Sequence, residues 1–185
     1  MFRFLFLDID GVLNTNQFLQ QQFLLHEEHV VDYNDPANHI MPEKVDLINH
    51  LVKETGALVV LSSSWRIVVG VAKTQESLNH RGATFEIFGA TRNRVEVTGR
   101  MSQFIPRWVE IQDFLLRTGK QHIENFVILD DLDEASNDEM RSQFIQTDPN
   151  VGLSNEQFEQ AISILNGTCK FDFAKQTLAG KIYGF

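Results

Sequence analysis

Residues 2–14 read Phe-Arg-Phe-Leu-Phe-Leu-Asp-Ile-Asp-Gly-Val-Leu-Asn, an apolar run that ends in two carboxylates two positions apart. The apolar part, Phe2 to Leu7, predicts a buried strand. Gly11 lets the backbone turn directly after this strand, so the side chains of Asp8 and Asp10 can lean toward one point beyond its carboxyl end. Open α/β sheets bind their ligands at that end. The stretch therefore predicts both a strand and a ligand site.

A second strand with the same ending occurs late in the chain. The apolar residues 125–129 run into a further pair of carboxylates. Four carboxylates at one edge of a sheet repel each other unless a cation neutralises them. Hard oxygen ligands suit Mg²⁺, which also keeps water and phosphate oxygens in its coordination shell. We therefore predict Mg²⁺ as the cofactor, with metal ligands among Asp8, Asp10, Asp130 and Asp131.

A third apolar segment, residues 56–61, ends in Ser62, Ser63 and Ser64. Hydroxyls and backbone N–H groups at the start of a helix form a natural phosphate site. Serine also caps helices, but three consecutive serines exceed what one cap requires. This segment predicts a phosphate site beside the first acidic pair.

The composition indicates a globular protein of ordinary hydrophobicity. Of 185 residues, 43% are hydrophobic and 22% are charged, which is typical of a single domain. The single Cys169 excludes an internal disulfide and a cysteine zinc cluster, and it fits the cytoplasmic location that we predict. No apolar stretch is long enough to span a bilayer, so we expect no membrane partner.

Charge is distributed unevenly along the chain. The formal net charge of −9 argues against broad, non-specific binding of nucleic acid. Residues 81–107, however, contain five arginines and two glutamates, a net charge of +3. This stretch either steers an anionic substrate toward the metal site or forms a solvated surface.

Predicted strands alternate with predicted helices along the rest of the chain. Helices are expected from Pro42, from Pro106 to near Gly119, and from Ser154, where Gln157 completes a capping box. A short strand is expected over 143–147. This alternation predicts an α/β fold with a doubly wound, mostly parallel sheet and helices on both faces.

Two segments fit the alternation poorly, at about 15–41 and 66–105, the second with a potential strand at 84–88. We expect them to be insertions that leave the sheet at its ligand end and are too small for a large cap. The predicted organisation is one domain over residues 1–166 and a C-terminal extension over 167–185. The extension is apolar enough to pack either on the domain or on a partner.

The two acidic pairs and the serine segment occur in the order and spacing of the haloacid dehalogenase-like (HAD) phosphohydrolases, which the chain resembles over roughly residues 2–165. Three further segments resemble the small HAD domains grouped with RNA-repair proteins: Leu61 to Arg66, Arg107 followed by Glu110-Ile111, and Thr147 to Leu153. The resemblance implies a HAD-like Rossmannoid fold with a minimal cap or none.

The resemblance also implies roles for particular residues. Asp8 would be the nucleophile that forms an aspartyl-phosphate. Asp10 would be the general acid and then the general base, while its backbone carbonyl binds Mg²⁺. Ser62 would bind the transferring phosphoryl group, with Ser63 as the next choice.

The late acidic pair and the phosphate-stabilising cation leave alternatives open. Asp131 best matches the metal-binding acid of the family, with Asp130 as its neighbour, and the register between them is not decided. The family usually supplies a lysine on the preceding helix, where this chain has Arg107. We prefer Arg107, because arginine can contact phosphate through two N–H groups, and keep Lys120 as the alternative. Arg107 and Lys120 are thus both candidates for binding substrate phosphate.

The function predicted on these grounds is that of a Mg²⁺-dependent phosphatase, a phosphoric monoester hydrolase. Its substrate would be a nucleotide, a nucleic-acid end, a phosphoprotein or a metabolite, and the basic stretch favours the first two. The alternatives are a phosphotransferase, or a catalytically silent regulatory domain that binds phosphate and Mg²⁺. A receiver-type signalling module has its acidic residues in a different order along the chain. Trp65 and Trp108 are expected to pack in the interior rather than to stack on bases. The oligomeric state is left open.

Overall fold

The computed structural model describes residues 1–92, 95–98, 101–168 and 171, with the backbone alone for 95–98 and 101–104. The strands in chain order are β1 (Phe2–Leu7), β2 (Leu58–Leu61), β3 (Ile87–Ala90), β4 (Val95–Thr98), β5 (Met101–Phe104), β6 (Ile123–Asp130) and β7 (Phe144–Gln146). The α-helices are α1 (Asn16–Glu27), α2 (Pro42–Thr55), α3 (Val71–His80), α4 (Arg107–Thr118) and α5 (Asn155–Leu165).

Five strands form one sheet in the order β3-β2-β1-β6-β7, and every neighbouring pair is parallel. Strands β4 and β5 form a separate antiparallel hairpin. Strand β1 lies in the middle of the sheet between β2 and β6. The chain adds β2 and β3 on one side of β1 and then adds β6 and β7 on the other side. The predicted α/β fold with a parallel sheet is confirmed.

Alternating side chains of the central strand supply two separate cores, one on each face of the sheet. Leu5 and Leu7 pack with residues of α2, α3 and α5 on one face. Phe4 and Phe6 point to the other face, where both rings meet Phe114 of α4 edge-on, with centroids 5.4 and 5.6 Å apart. Because both faces are covered, β1 is apolar at almost every position rather than alternating.

The predicted helix ends agree with the structure. Pro42 lies in the first turn of α2, and Gly56 ends that helix in the left-handed conformation, with φ +66°. Ser154 and Gln157 form the expected reciprocal capping box at the start of α5. Pro106 is the N-cap residue of α4, so Arg107 is the first helical residue.

The two segments expected to be insertions are more regular than predicted. Residues 15–41, the flap from here on, contain α1 and a 3₁₀ helix at Pro36–His39. Residues 66–105 begin with a π-helical turn at Arg66–Gly70 and continue into α3 and β3, which are an ordinary crossover and an edge strand of the sheet. The strand expected at 84–88 is found at Ile87–Ala90. Beyond β3, the β4-β5 hairpin leaves the sheet.

The start of the C-terminal extension packs on the domain. The ring of Phe171 lies 4.9 Å from that of Phe126, on the α4 face of the sheet. Residues 169–170 and 172–185 lie outside the described residues. None of the helices in the described part of the chain combines the length and hydrophobicity needed to cross a bilayer.

Candidate active site

Strand register brings three of the predicted site residues into one row. Leu7 at the end of β1 pairs with the last residue of β2 on one side and with Leu129 of β6 on the other. The next residues along the three strands are Asp8, Ser62 and Asp130. Backbone hydrogen bonds continue into this row, since the Ser62 N–H donates to the Leu7 carbonyl at 2.9 Å and the Asp8 N–H to the Leu129 carbonyl at 3.0 Å. Asp8 therefore lies between a hydroxyl and a carboxylate at the ligand end of the sheet.

Three carboxylates converge at this point. Asp8, Asp130 and Asp131 each offer an oxygen, and these atoms lie within 4.8 Å of one another. Asp8 is 4% exposed and Asp130 is fully buried, whereas Asp131 is half-buried. Gly11 makes the approach of Asp131 possible, because a Cβ at Gly11 would lie 2.7 Å from the Asp131 Cγ. Three of the four carboxylates that the sequence predicts at this site therefore lie together, and they are called the cluster from here on.

Asp10 does not belong to this group of three, although it was predicted as a metal ligand with them. Its carboxylate accepts a hydrogen bond from Trp65 Nε1 at 3.0 Å and another from Asn14 Nδ2 at 2.9 Å. The two oxygens of Asp10 are thus held by side chains, and its carboxylate is exposed at the mouth of the site. A contribution of Asp10 to a metal site through its backbone carbonyl stays a prediction.

Arg107 is the cation that contacts the cluster. It is the first residue of α4, and its Nη1 donates to Asp8 Oδ2 at 2.7 Å and also to Asp130 Oδ2. The prediction that Lys120 reaches this site is wrong, because Lys120 lies just before the amino end of β6 and the site lies beyond the carboxyl end of that strand. The eight residues of β6 separate Lys120 from the site by about 23 Å, which is too far for a lysine side chain to bridge. Lys120 therefore does not reach the cluster, and Arg107 takes the place for which Lys120 was the alternative.

The pKa shifts show that Arg107 alone does not neutralise the negative charge of the three carboxylates. Burial and the nearby charge of Asp8 raise the pKa of Asp130 to about 7, despite the opposing effect of Arg107. Burial and the same charge also raise the pKa of Asp131. Burial alone would lower the pKa of Arg107, but the charges of Asp8 and Asp130 outweigh it and raise this pKa above its usual value. The site favours additional positive charge.

The serines after β2 differ in their surroundings. Ser62 Oγ is buried and has no hydrogen-bond partner among the described residues. Ser63 Oγ, in contrast, accepts a hydrogen bond from the backbone N–H of Trp65 at 3.3 Å and so caps the turn. A buried hydroxyl without a partner costs free energy, which an oxygen-rich ligand would recover. Ser62 is thus better placed than Ser63 to bind a phosphoryl oxygen.

A buried ion pair that the sequence did not predict ties α4 to the turn after β2. Arg66 donates to Glu110 and to the carbonyl of Ser63. Both side chains are more than nine-tenths buried. Burial lowers the pKa of Arg66, and the charge of Glu110 opposes this shift. Because Glu110 lies one turn after Arg107, this pair fixes the end of α4 from which Arg107 reaches Asp8.

The described arginines of the basic stretch lie in different places and have different contacts. Arg81 donates to the Ala37 carbonyl at 2.6 Å and to Asn38, so it ties α3 to the flap. Arg107 lies in the site, and Arg92 is exposed. Arg94 and Arg100 lie outside the described residues.

The donor set fits Mg²⁺. Three carboxylates and one guanidinium leave two formal negative charges in a mostly buried space, which a divalent cation would neutralise. All donors are hard oxygens, and the half-buried Asp131 leaves room for water in the coordination shell. Asp8, Asp130 and Asp131 are therefore the side chains that could hold the ion.

A protein-family model described as the HAD domain in Swiss Army Knife RNA repair proteins matches residues 4–158. The chain belongs to this family. The resemblance to the HAD phosphohydrolases is confirmed, and family membership supports a phosphatase-like hydrolase as the general class of the protein. Comparison with curated proteins and with solved structures returned no match. The matched region lies inside the predicted domain of residues 1–166, whose boundaries stay a prediction.

Proposed function

We propose that this HAD domain is a Mg²⁺-dependent phosphatase that hydrolyses a phosphomonoester through an aspartyl-phosphate on Asp8. One observation carries the proposal. Asp8 lies in a row between the hydroxyl of Ser62, which has no hydrogen-bond partner in the described residues, and the carboxylate of Asp130, and the guanidinium of Arg107 contacts both carboxylates. A nucleophile, a phosphate-binding donor and positive charge are thus adjacent.

Asp8, Asp130 and Asp131 would hold Mg²⁺, with the backbone carbonyl of Asp10 as a further ligand. When bound, the ion supplies positive charge that allows a carboxylate to approach a phosphate dianion. The Ser62 hydroxyl would donate a hydrogen bond to a non-bridging phosphoryl oxygen. Arg107 would stabilise the negative charge on the same phosphoryl group.

The reaction would proceed in two displacements. An Asp8 carboxylate oxygen attacks phosphorus, so that an oxygen–phosphorus bond to Asp8 forms while the bond to the leaving oxygen breaks. Asp10 gives its proton to that oxygen. Water then attacks the aspartyl-phosphate, loses a proton to Asp10 and releases inorganic phosphate. Asp8 returns to its carboxylate form, and Asp10 is again protonated.

The substrate we favour is a phosphate at the end of a nucleic acid, with RNA first. The family description refers to RNA repair. In addition, the flap contributes one α-helix and a 3₁₀ turn, and the other departure from the sheet is a hairpin of two four-residue strands. Within the described part of the chain neither is large enough to enclose a small substrate, which supports a macromolecular end as the substrate. A cytoplasmic location is part of the same proposal.

The experiment is phosphate release from RNA and DNA oligonucleotides with 5′ or 3′ phosphates, nucleotides, phosphopeptides and small phosphoesters, with Mg²⁺ or with EDTA. We expect turnover only with Mg²⁺ and none in Asp8→Asn. Asp133→Asn is the matched control, because Asp133 is an exposed carboxylate paired with Arg141 and outside the cluster. Acid quenching should trap phosphate on the wild type and not on Asp8→Asn.

Two outcomes would contradict the proposal. Phosphate transfer to an added alcohol in preference to water would identify a phosphotransferase. Mg²⁺ binding by the folded protein without turnover on any substrate would identify a silent binding domain.

A further inference from the structure

The carboxylate of Asp10 is exposed, yet both of its oxygens are held by side chains. Trp65 Nε1 donates to Oδ2 at 3.0 Å, and Asn14 Nδ2 donates to Oδ1 at 2.9 Å. An exposed aspartate normally samples several rotamers, because water can replace any single hydrogen bond. Two directional donors, one on each oxygen, define one orientation of this carboxylate.

The donor from Trp65 is itself held rigidly. The indole is 5% exposed, although its N–H contacts the exposed Asp10. Trp65 follows the serine segment directly, so the strand end that supplies Ser62 also supplies this donor. A buried indole N–H requires a partner, and Asp10 is that partner here.

The flap supports both donors through one residue, His39. Its ring meets the ring of Trp65 nearly edge-on, with centroids 6.3 Å apart. Its backbone carbonyl accepts a second hydrogen bond from Asn14 Nδ2, at 3.0 Å. His39 is held in turn by Tyr33, whose carbonyl lies 2.8 Å from His39 Nε2 and whose ring lies 4.3 Å away. A chain of contacts therefore leads from the flap to the carboxylate of Asp10.

We propose that Trp65, supported by the flap, is a positioning residue that aims the carboxylate of Asp10 at the leaving oxygen of the substrate. This inference rests on the proposed phosphatase function, in which Asp10 protonates that oxygen. Trp65 itself contacts neither phosphorus nor the leaving group in this scheme. Its contribution is to orientation, where a displacement of about 1 Å can cost about 100-fold in rate.

The inference makes the effect of Trp65→Phe depend on the leaving group. A ribose or alkyl alkoxide leaves poorly without a proton, whereas p-nitrophenolate leaves well without one. We expect Trp65→Phe to lower kcat/KM about 10- to 100-fold on a nucleotide or RNA-end phosphate and by less than about 3-fold on p-nitrophenyl phosphate. The comparison uses kcat/KM because this constant reports the steps up to departure of the leaving group, whereas the later hydrolysis of the aspartyl-phosphate, in which Asp10 is the base, is common to both substrates. A role confined to packing would lower kcat/KM on both substrates by the same factor.

Trp108→Phe is the matched control. Trp108 is the other tryptophan of the chain and packs against the α4-face core rather than beside Asp10. We expect this variant to show the same ratio of the two activities as the wild type. A leaving-group dependence in Trp108→Phe equal to that in Trp65→Phe would overturn the inference.

A second readout does not depend on turnover. The two tryptophans give two indole N–H signals in a ¹H–¹⁵N spectrum, and Trp65→Phe identifies the one from Trp65. We expect Asp10→Ala to shift that signal and to leave the signal of Trp108 in place. An unmoved Trp65 signal overturns the inference whatever the activity.

The failure of the inference and that of the proposed function are distinguishable. A wild type that releases no phosphate from any substrate would overturn the proposed function and the inference with it. Wild-type turnover, combined with equal losses on both leaving groups in Trp65→Phe, would overturn the inference alone.

Discussion

Replacing Arg107 with methionine tests how the charges of the site contribute to stability. The change removes the guanidinium that contacts two buried carboxylates, Asp8 and Asp130, and keeps much of the aliphatic volume. Removing one partner of a buried ion pair costs about 3–5 kcal/mol, because the remaining charge is left uncompensated. We expect Arg107→Met to lose this much free energy of unfolding at pH 8 without Mg²⁺. For a chain of this size the loss corresponds to a fall in Tm of roughly 6–20 °C.

The loss should depend on pH in a direction set by Asp130. Its pKa is raised from 3.8 to about 7 in the folded protein. An acid with a raised pKa stabilises the fold at low pH, and this contribution is lost as the pH rises through the folded-state pKa. A pKa that is about three higher in the folded than in the unfolded protein corresponds to about 4 kcal/mol of free energy. The metal-free wild type should therefore lose about this much free energy of unfolding between pH 4 and pH 7.

Arg107 lowers the pKa of Asp130, so the loss of stability in the variant should continue to a higher pH than in the wild type. At pH 5.5 Asp130 is protonated in both proteins, and only the charge of Asp8 lacks its partner in the variant. The difference between variant and wild type should therefore fall to about half of its value at pH 8. Mg²⁺ should reduce the difference in free energy of unfolding between Arg107→Met and the wild type at pH 8, because the ion replaces the missing positive charge.

The assay is urea unfolding followed by circular dichroism at pH 5.5 and pH 8, with EDTA or with Mg²⁺. Arg141→Met is the control, since Arg141 pairs with Asp133 at an exposed position and its loss should not be measurable. Equal losses for Arg107→Met at the two pH values, or a loss no larger than that of Arg141→Met, would refute the reasoning.

Two further pairs of substitutions test the close approach of Gly11 to Asp131 and the phosphate site. Gly11→Ala should destabilise the protein well beyond Gly56→Ala and also weaken Mg²⁺ binding by calorimetry, because both glycines have positive φ but only Gly11 would place a Cβ against Asp131. Equal effects of the two substitutions would contradict the close approach. Ser62→Ala should leave the free energy of unfolding within about 0.5 kcal/mol of the wild type and raise the inhibition constant of inorganic phosphate, because the hydroxyl has no hydrogen-bond partner among the described residues. Ser63→Ala should do the reverse and lose about 1 kcal/mol of stability with unchanged phosphate inhibition, because its hydroxyl caps a turn.

Much of the fold followed from patterns that are local in sequence. Apolar runs that end in carboxylates or serines identified the three central strands, and the proline, glycine and capping-box positions identified the ends of α2 and α5. These signals are readable because each depends on the backbone geometry of a few consecutive residues. The β4-β5 hairpin was not predicted from the sequence. Strand β3 begins at Ile87, three residues later than the strand predicted at 84–88.

The composition of the site was also largely determined by sequence. In parallel strands that lie side by side, the residues after each strand meet at one edge of the sheet. The placement of Asp8, Ser62 and Asp130 in one row follows from this rule once the strands are recognised. What the rule leaves open is the direction of each side chain.

Only the tertiary structure decided which distant side chains meet. It placed Arg107 rather than Lys120 on the cluster, left Asp10 outside the group of three carboxylates, and brought Trp65 to Asp10 across 55 positions of the sequence. It also paired Arg66 with Glu110, 44 positions apart. Such contacts depend on how α4 and the flap pack against the sheet. Packing is a property of whole elements in three dimensions, whereas the sequence pattern of one element reports only which of its faces is buried.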